Sequence, residues 1–368
     1  MLVLLSALCC FDGRTKNSLL SAVSDLDFEL PPELIAQEAS PDRDQSRLLH
    51  LDRTTRARTH HRVGDLPCLL RSGDLLVVNN SRVFPARLLG RREPSGGHVE
   101  CLLLARLGED RWDVLIRPGQ KMRVGEHAVF GDGDNRLHLE VLERRFYGRR
   151  IVRLFSDGPH EVDAVVDRIG QTPLPPYIKR PPDRVDRDRY QTIFAKVRGS
   201  IAAPTAGLHF TPELVSRLAS AGVAQAEVTL HVGYGTFQPI RVERVEDHTV
   251  AAESYEISKT AAGQINAARD EGRRIVAVGT TTTRVLESVV RVADGRMKSM
   301  SGVTDLYIHP GFDFRVVGAL VTNFHLPRSS LLVLAAAFAG RDVLLKAYAE
   351  AIAERYRFYS YGDATLIT

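Results

Sequence analysis

Hydrophobic and polar positions along the chain follow two different periods. Between about Arg82 and Phe155 the pieces "HVECLLLARL", "RWDVLIRP", "HAVFGD", "RLHLEVLER" and "RRIVRLF" alternate apolar and polar residues and are broken by Gly, Asp and Pro at regular spacing. Five or six short strands of this kind predict a small β-barrel. Outside that window, apolar runs of strand length alternate with helical patterns. "GDLLVVNN" reads as a buried strand over Asp74 to Val78, and "EVDAVVDRIG" as a short helix ended by Gly170.

Helix signals are strongest further along. Thr211-Pro212-Glu213 places an N-cap, a first-turn proline and an acid at the positive end of the dipole, and predicts a helix from Pro212 to about Ser220. The strand "AQAEVTLHV" follows, then a helix over about Lys259 to Asp270, the strand "RRIVAVG", a helix entered through Thr280 to Thr283 and carrying Arg284, and the strand "ALVTNFHLP" before two last helices. Strands alternating with helices imply an α/β fold with a mostly parallel sheet and flanking helices, carrying the barrel as an insertion. The predicted organisation is an N-terminal extension at 1–22, an α/β catalytic domain over 23–81 plus 166–368, and the inserted barrel domain over 82–165.

Composition changes this picture little. At 368 residues, with 44% apolar and 26% charged residues, the chain is long enough for two domains. Its formal net charge is +4, and only seven of the 49 basic residues are lysine. A GC-rich genome accounts for such an arginine excess more simply than phosphate binding does. Cys9, Cys10, Cys68 and Cys101 form neither a metal-ligand pattern nor a disulfide framework, so no metal site and a reducing, cytoplasmic setting are expected. The opening "MLVLLSALCC" lacks the basic start and cleavage site of a signal peptide, which favours a start codon read too early. No apolar run reaches the ~20 residues of a membrane span.

Ligands of open α/β sheets sit beyond the carboxyl ends of the strands. That rule selects "LHVGYGTFQP", "GTTTTR" and "NFHLPRSS", with "IAAPTAGLHF" beside a helix start. Three of these loops carry a histidine: His209, His231 and His325. Each is either a satisfied structural side chain or a proton carrier. Gly207, Gly233 and Gly235 serve turns or the close approach of a ligand. The Thr280 to Thr283 run either caps a helix or offers hydroxyl and N–H groups to an anion. Dinucleotide, P-loop and nucleophile-elbow signatures are absent. "YIKRPPDRVDRDRY" and "NNSRVFPARLLGRR" place positive charge beside aromatic or rigid residues, which suits either a phosphate backbone with a splayed base or a solvated surface.

With "GDLLVVNNSRVFPARLLGR", "PLPPYIKR", "AAPTAGLHFT", "VTLHVGYGTFQP", "AVGTTTTRVLES", "LVTNFHLPRSSLL" and "YRFYSYGDA" in this order, the chain resembles the S-adenosylmethionine:tRNA ribosyltransferase-isomerase family of queuosine synthesis over nearly its whole length. The resemblance implies an α/β domain with an inserted barrel. It also implies transfer and isomerisation of the ribosyl group of S-adenosylmethionine onto the 7-aminomethyl-7-deazaguanine at a tRNA wobble position, giving epoxyqueuosine-tRNA, adenine and methionine. S-Adenosylmethionine is then a consumed co-substrate, no metal is expected, and a monomer is the expected state, with an oligomer left open.

Such chemistry calls for a base near neutrality beside the sulfonium, an acid or donor for departing adenine, a carboxylate near the cationic sugar, and exclusion of water. On this basis His209, His231, His325, Glu253 and Asp363 are the catalytic candidates, with the roles of the histidines unassigned. Thr205, Gly207, Gly233, Thr236, Thr281, Thr282 and Arg284 are expected to hold the co-substrate, its carboxylate pairing with Arg284. Arg82, Arg87, Tyr177, Lys179 and Arg180 are expected to meet tRNA. Two departures stand out: Ala251 and Ala252 occupy positions where the family usually carries a histidine and a serine, and His309 stands where a tyrosine is common. A protein of this fold without activity would bind tRNA and release no adenine, and a nucleoside enzyme would bind its substrate with little dependence on salt.

Overall fold

In the computed structural model, residues 22–368 are described apart from Gln238 and the side chains of Thr236 and Phe237. The expected extension, with Cys9 and Cys10, therefore lies outside the described residues except for Ala22. Among the described residues nine strands form the main sheet. From one edge they run Met300–Thr304, Glu253–Ile257, Ala224–Leu230, Leu75–Asn79, Ile275–Val278, Ala319–Asn323, Ala364–Ile367, Arg47–Leu51 and Arg58–Arg62. Parallel pairing joins the four central strands, Ala224–Leu230 to Ala319–Asn323. Antiparallel pairing adds the outer strands at one edge and Ala364–Ile367 at the other. A further parallel pair, Arg47–Leu51 with Ala364–Ile367, lies toward the other edge, so the sheet is mixed with a parallel centre.

Side chains of the central strands alternate between two cores, as period two requires for a sheet covered on both faces. Leu75 and Val77 pack with the Lys259–Asp270, Thr280–Val292, Ser330–Ala339 and Arg341–Ala353 helices. Leu76 and Val78 face the other way, toward Leu66 and the Pro212–Ser220 helix with Leu214 and Leu218. That last helix starts as its sequence predicts, the Thr211 hydroxyl accepting from the Leu214 N–H with Pro212 in the first turn.

Six strands, Arg87–Glu93, His98–Arg106, Arg111–Arg117, His127–Phe130, Leu137–Arg144 and Arg149–Ser156, close into a barrel filled by Leu88, Leu103, Val114, Phe130, Leu139 and Val152. Val165 and Val166 of the Val162–Ile169 helix join that core. The chain enters the barrel through Ser81–Val83 and returns through Val197–Ser200, and these two short strands pair in parallel as a clasp. Its inner hydroxyls, Ser81 and Ser200, hydrogen-bond at 2.9 Å. The return then runs directly into the helical turn Thr205–His209, which places that turn over the carboxyl end of the central sheet.

Candidate active site

A pocket with about 500 Å³ of empty space opens where the strands Ile275–Val278 and Ala319–Asn323 end, and its wall includes Thr205, Thr281, Asn323, His325 and Tyr359. Gly279, with φ 91°, turns the first strand sharply into the Thr280–Val292 helix, a conformation open to glycine without strain. Thr280 and Thr281 consequently stand on the pocket wall at the helix N-terminus. The Thr282 and Thr283 hydroxyls turn back to the Val278 and Gly279 carbonyls at 2.7 and 3.2 Å, so they serve the helix start.

His325 lines this pocket. Its Nε2 is 3.0 Å from the Thr322 hydroxyl, and burial pulls its pKa down to about 3. His209 stands one residue behind the wall. Its Nε2 is 3.1 Å from Asn323 Nδ2, and burial brings its pKa down to about 4. Asn323 also donates to the Tyr359 carbonyl at 3.2 Å and accepts the Thr205 hydroxyl at 2.8 Å. Because a carbonyl only accepts, the Tyr359 contact fixes the direction of the Asn323 amide; His209 Nε2 must then be an unprotonated acceptor. His231 is not brought to this pocket. Its ring packs on Gly199, where a Cβ would come within 2.6 Å of it, and burial lowers its pKa against an opposing pull from Glu256.

Beyond Leu331, which it shares with the first pocket, lies a second of about 410 Å³ lined by Glu253, Arg284 and Tyr307. The buried Glu253 carboxylate accepts the Gly233 N–H at 2.8 Å and binds the Arg284 guanidinium. Arg284 further donates to the Leu306 and Thr304 carbonyls at 3.0 and 3.2 Å, so its fork is engaged by the protein. Gly233 leads from this pair to a wide groove between barrel and sheet, about 2990 Å³, whose walls carry Arg117, Arg144 and Arg241.

The remaining expected residues divide by what they touch. Gly207 is buried against Thr192, whose Cγ2 would lie 2.9 Å from an added Cβ, so packing alone requires it. Asp363 accepts backbone N–H groups of Arg47 and Arg357 at 2.9 and 2.7 Å and ties the last strand to its neighbours; desolvation raises its pKa against those two bonds. The side chain of Thr236 lies outside the described residues. Tyr177 bonds Ser360 through its hydroxyl and sets its ring edge-on to Tyr359 at 3.8 Å, so it backs the pocket wall. Arg180 grips the buried Asp186 through two N–H groups at 2.6 and 2.8 Å, which raises its pKa, and Tyr361 donates to the same carboxylate. Arg87 pairs with Glu100 at 2.9 Å, while Arg82 and Lys179 are exposed. None of these three, nor Arg180, lines the wide groove.

Sequence reasoning passed over Asn323, Tyr359 and Ser360 in the pocket and the groove arginines. Asn323 lay inside "NFHLPRSS", one of the selected strand-end loops, and a buried amide at the end of a parallel strand was the signal available. Among the described residues no group of three or more His, Cys, Asp or Glu side chains is placed to hold a metal, and no helix is long and apolar enough to cross a membrane.

A pocket at the carboxyl ends of parallel strands, walled by buried histidine, amide and hydroxyl groups, is the arrangement of an α/β enzyme. The family model for the queuosine biosynthesis protein matches residues 23–367. Curated proteins named S-adenosylmethionine:tRNA ribosyltransferase-isomerase from Desulfitobacterium hafniense and Symbiobacterium thermophilum are each 51% identical over 345 residues, covering 94% of this chain and 99% of theirs. A crystal structure of S-adenosylmethionine tRNA ribosyltransferase from Thermotoga maritima superimposes with a TM-score of 0.53 at 41% identity, covering 94% of this chain and all of that one. The chain belongs to the queuosine biosynthesis family and is an enzyme of its transferase-isomerase kind, as its motifs imply.

Proposed function

We propose that the protein transfers and isomerises the ribosyl group of S-adenosylmethionine onto 7-aminomethyl-7-deazaguanine at the tRNA wobble position, releasing adenine and methionine and leaving epoxyqueuosine. The carrying observation is a pocket at the carboxyl end of the central strands that shares Leu331 with the Glu253 pocket, which in turn shares Gly235 and Glu253 with a large arginine-lined groove. A small charged donor and a large polyanionic acceptor need that combination.

Within this reading, His325 meets the donor at the pocket wall as a neutral imidazole; burial holds its pKa at about 3, too low for an efficient base at neutral pH, so it serves as a hydrogen-bond partner to the donor. Asn323 and His209 act behind it, holding Thr205 and the wall in place. Thr205 and Thr281 supply hydroxyls to the donor, and Glu253, its charge already met by Arg284, offers carboxylate lone pairs to a cationic sugar in the adjoining pocket. Arg284 fixes that carboxylate. The surrounding apolar wall, with Ala203, Val232 and Leu331, keeps water from a reactive sugar.

Incubation with S-adenosylmethionine and tRNA bearing the deazaguanine precursor tests this directly. Mass spectrometry should find one adenine released per modified wobble base. Absence of adenine with correctly prepared tRNA overturns the reading.

A further inference from the structure

The barrel carries an aromatic pair that no structural demand explains. Phe146 and Tyr147 are 86% and 92% exposed, side by side in the turn joining the strands Leu137–Arg144 and Arg149–Ser156. Tyr147 sits at φ 55°, a left-handed conformation uncommon for an aromatic residue, and this turn lifts both rings clear of the barrel. An Arg145 N–H to Arg149 carbonyl bond of 2.9 Å closes its base. Two large apolar rings at that exposure contribute nothing to the core, and water gains nothing from them.

Their surroundings are basic. The turn reads "RRFYGRR", and it forms one wall of the wide groove. Arg145 and Arg149 are neutralised by Glu143 and Asp113. Arg144 and Arg117 on the barrel, and Arg241 on the opposite wall, are exposed and enter no ion pair among the described residues. Among the described residues six arginines and two acidic residues line the groove, and both acids are already paired with arginine. Free guanidinium groups beside unsupported aromatic faces are the chemistry that grips a phosphate backbone while a base stacks on a ring. The groove runs from this turn to Gly233 and Glu253, so a polynucleotide seated there reaches the Glu253 pocket.

We infer that the Arg144–Arg149 turn is a docking element for single-stranded or looped RNA, with Phe146 and Tyr147 stacking on unpaired bases flanking the one that enters the pocket and Arg117, Arg144 and Arg241 meeting the phosphates. This rests on the reading that the groove receives RNA, and it names which part of the chain holds it.

The test uses the full-length protein and an anticodon stem-loop RNA, with affinity read by fluorescence anisotropy at several salt concentrations. The double variant Phe146→Leu, Tyr147→Asn removes both rings while Asn tolerates the left-handed backbone; it should bind at least tenfold more weakly and leave S-adenosylmethionine binding by calorimetry unchanged. The exchange Phe146→Tyr, Tyr147→Phe keeps two rings and should bind like the parent. Arg144→Ala should reduce the slope of log affinity against log salt by about one. Parental affinity in the ring-less variant overturns the inference, and so does a change confined to self-association measured by sedimentation, since the rings would then serve a second copy of the chain. A parent protein that binds no RNA defeats instead the broader reading on which the inference rests.

Discussion

Asn323 holds His209 by a 3.1 Å contact from its amide nitrogen to Nε2, and the Tyr359 carbonyl leaves the amide no other way to point. The histidine foreseen in "AAPTAGLHF" is therefore a neutral acceptor behind the pocket wall, kept in place by the amide that also receives the Thr205 hydroxyl. Asn323→Asp replaces the donor with an anion, and a nearby negative charge favours the imidazolium. The His209 titration midpoint, followed by NMR, should climb from its depressed position near 4. An unmoved midpoint means that the two side chains do not meet.

Acid sensitivity follows from the same burial. His209 and His325 have folded-state pKa values of about 4 and about 3, below the ordinary 6.5, so the unfolded chain binds protons first. Stability is thus complete above pH 6.5 and falls as the pH drops from there toward 4 and 3. At about 1.4 kcal/mol per pH unit, each histidine removes roughly 2 kcal/mol by pH 5. Urea unfolding at pH 7 and pH 5 should show a smaller difference for His325→Gln than for the parent; equal differences would sink the argument.

Glu253 and Arg284 are both buried. Glu253→Gln leaves a guanidinium without its counter-charge, at a cost of about 3 kcal/mol. Replacing both by apolar residues, as in Glu253→Leu with Arg284→Met, should recover much of that stability while abolishing turnover. Denaturant midpoints give the first result and adenine release the second. If the double variant is as unstable as the sum of the single ones, charge burial is not the cause of the loss.

Gly207 separates packing from ligand approach. Gly207→Ala pushes a methyl against Thr192 Cγ2, at a cost of about 1–3 kcal/mol. Thr192→Ser deletes that methyl and keeps the hydroxyl that accepts the Phe194 N–H. The pair of changes should restore both the melting temperature and S-adenosylmethionine affinity. Restored melting with persistent loss of binding would place the co-substrate against Gly207 after all.

Much of the architecture was legible because local chemistry states it. The Thr211 cap, the Lys259–Asp270 helix and the alternating barrel strands all follow from residues close together in sequence. The antiparallel outer strands of the main sheet were not legible, since period two gives no strand direction. The pocket was half legible. Strand-end loops pointed to Thr281, His325 and Asn323's neighbourhood, but Tyr359 and Ser360 arrive from a turn near the C-terminus that has no strand-end signature. Arginine content likewise pointed to "YIKRPPDRVDRDRY", where Arg180 proves to be committed to Asp186; a charge in sequence does not reveal whether an acid is already waiting for it.

The clasp between Ser81–Val83 and Val197–Ser200 also bears on how the chain folds. Barrel strands pair with near neighbours, whereas Leu75–Asn79 must find Ala224–Leu230 across the whole insertion. A barrel that closes first brings the two clasp strands together and turns a long, entropically costly loop into a short one. The insertion then acts as a folding staple, and weakening the clasp should slow sheet formation more than it speeds unfolding.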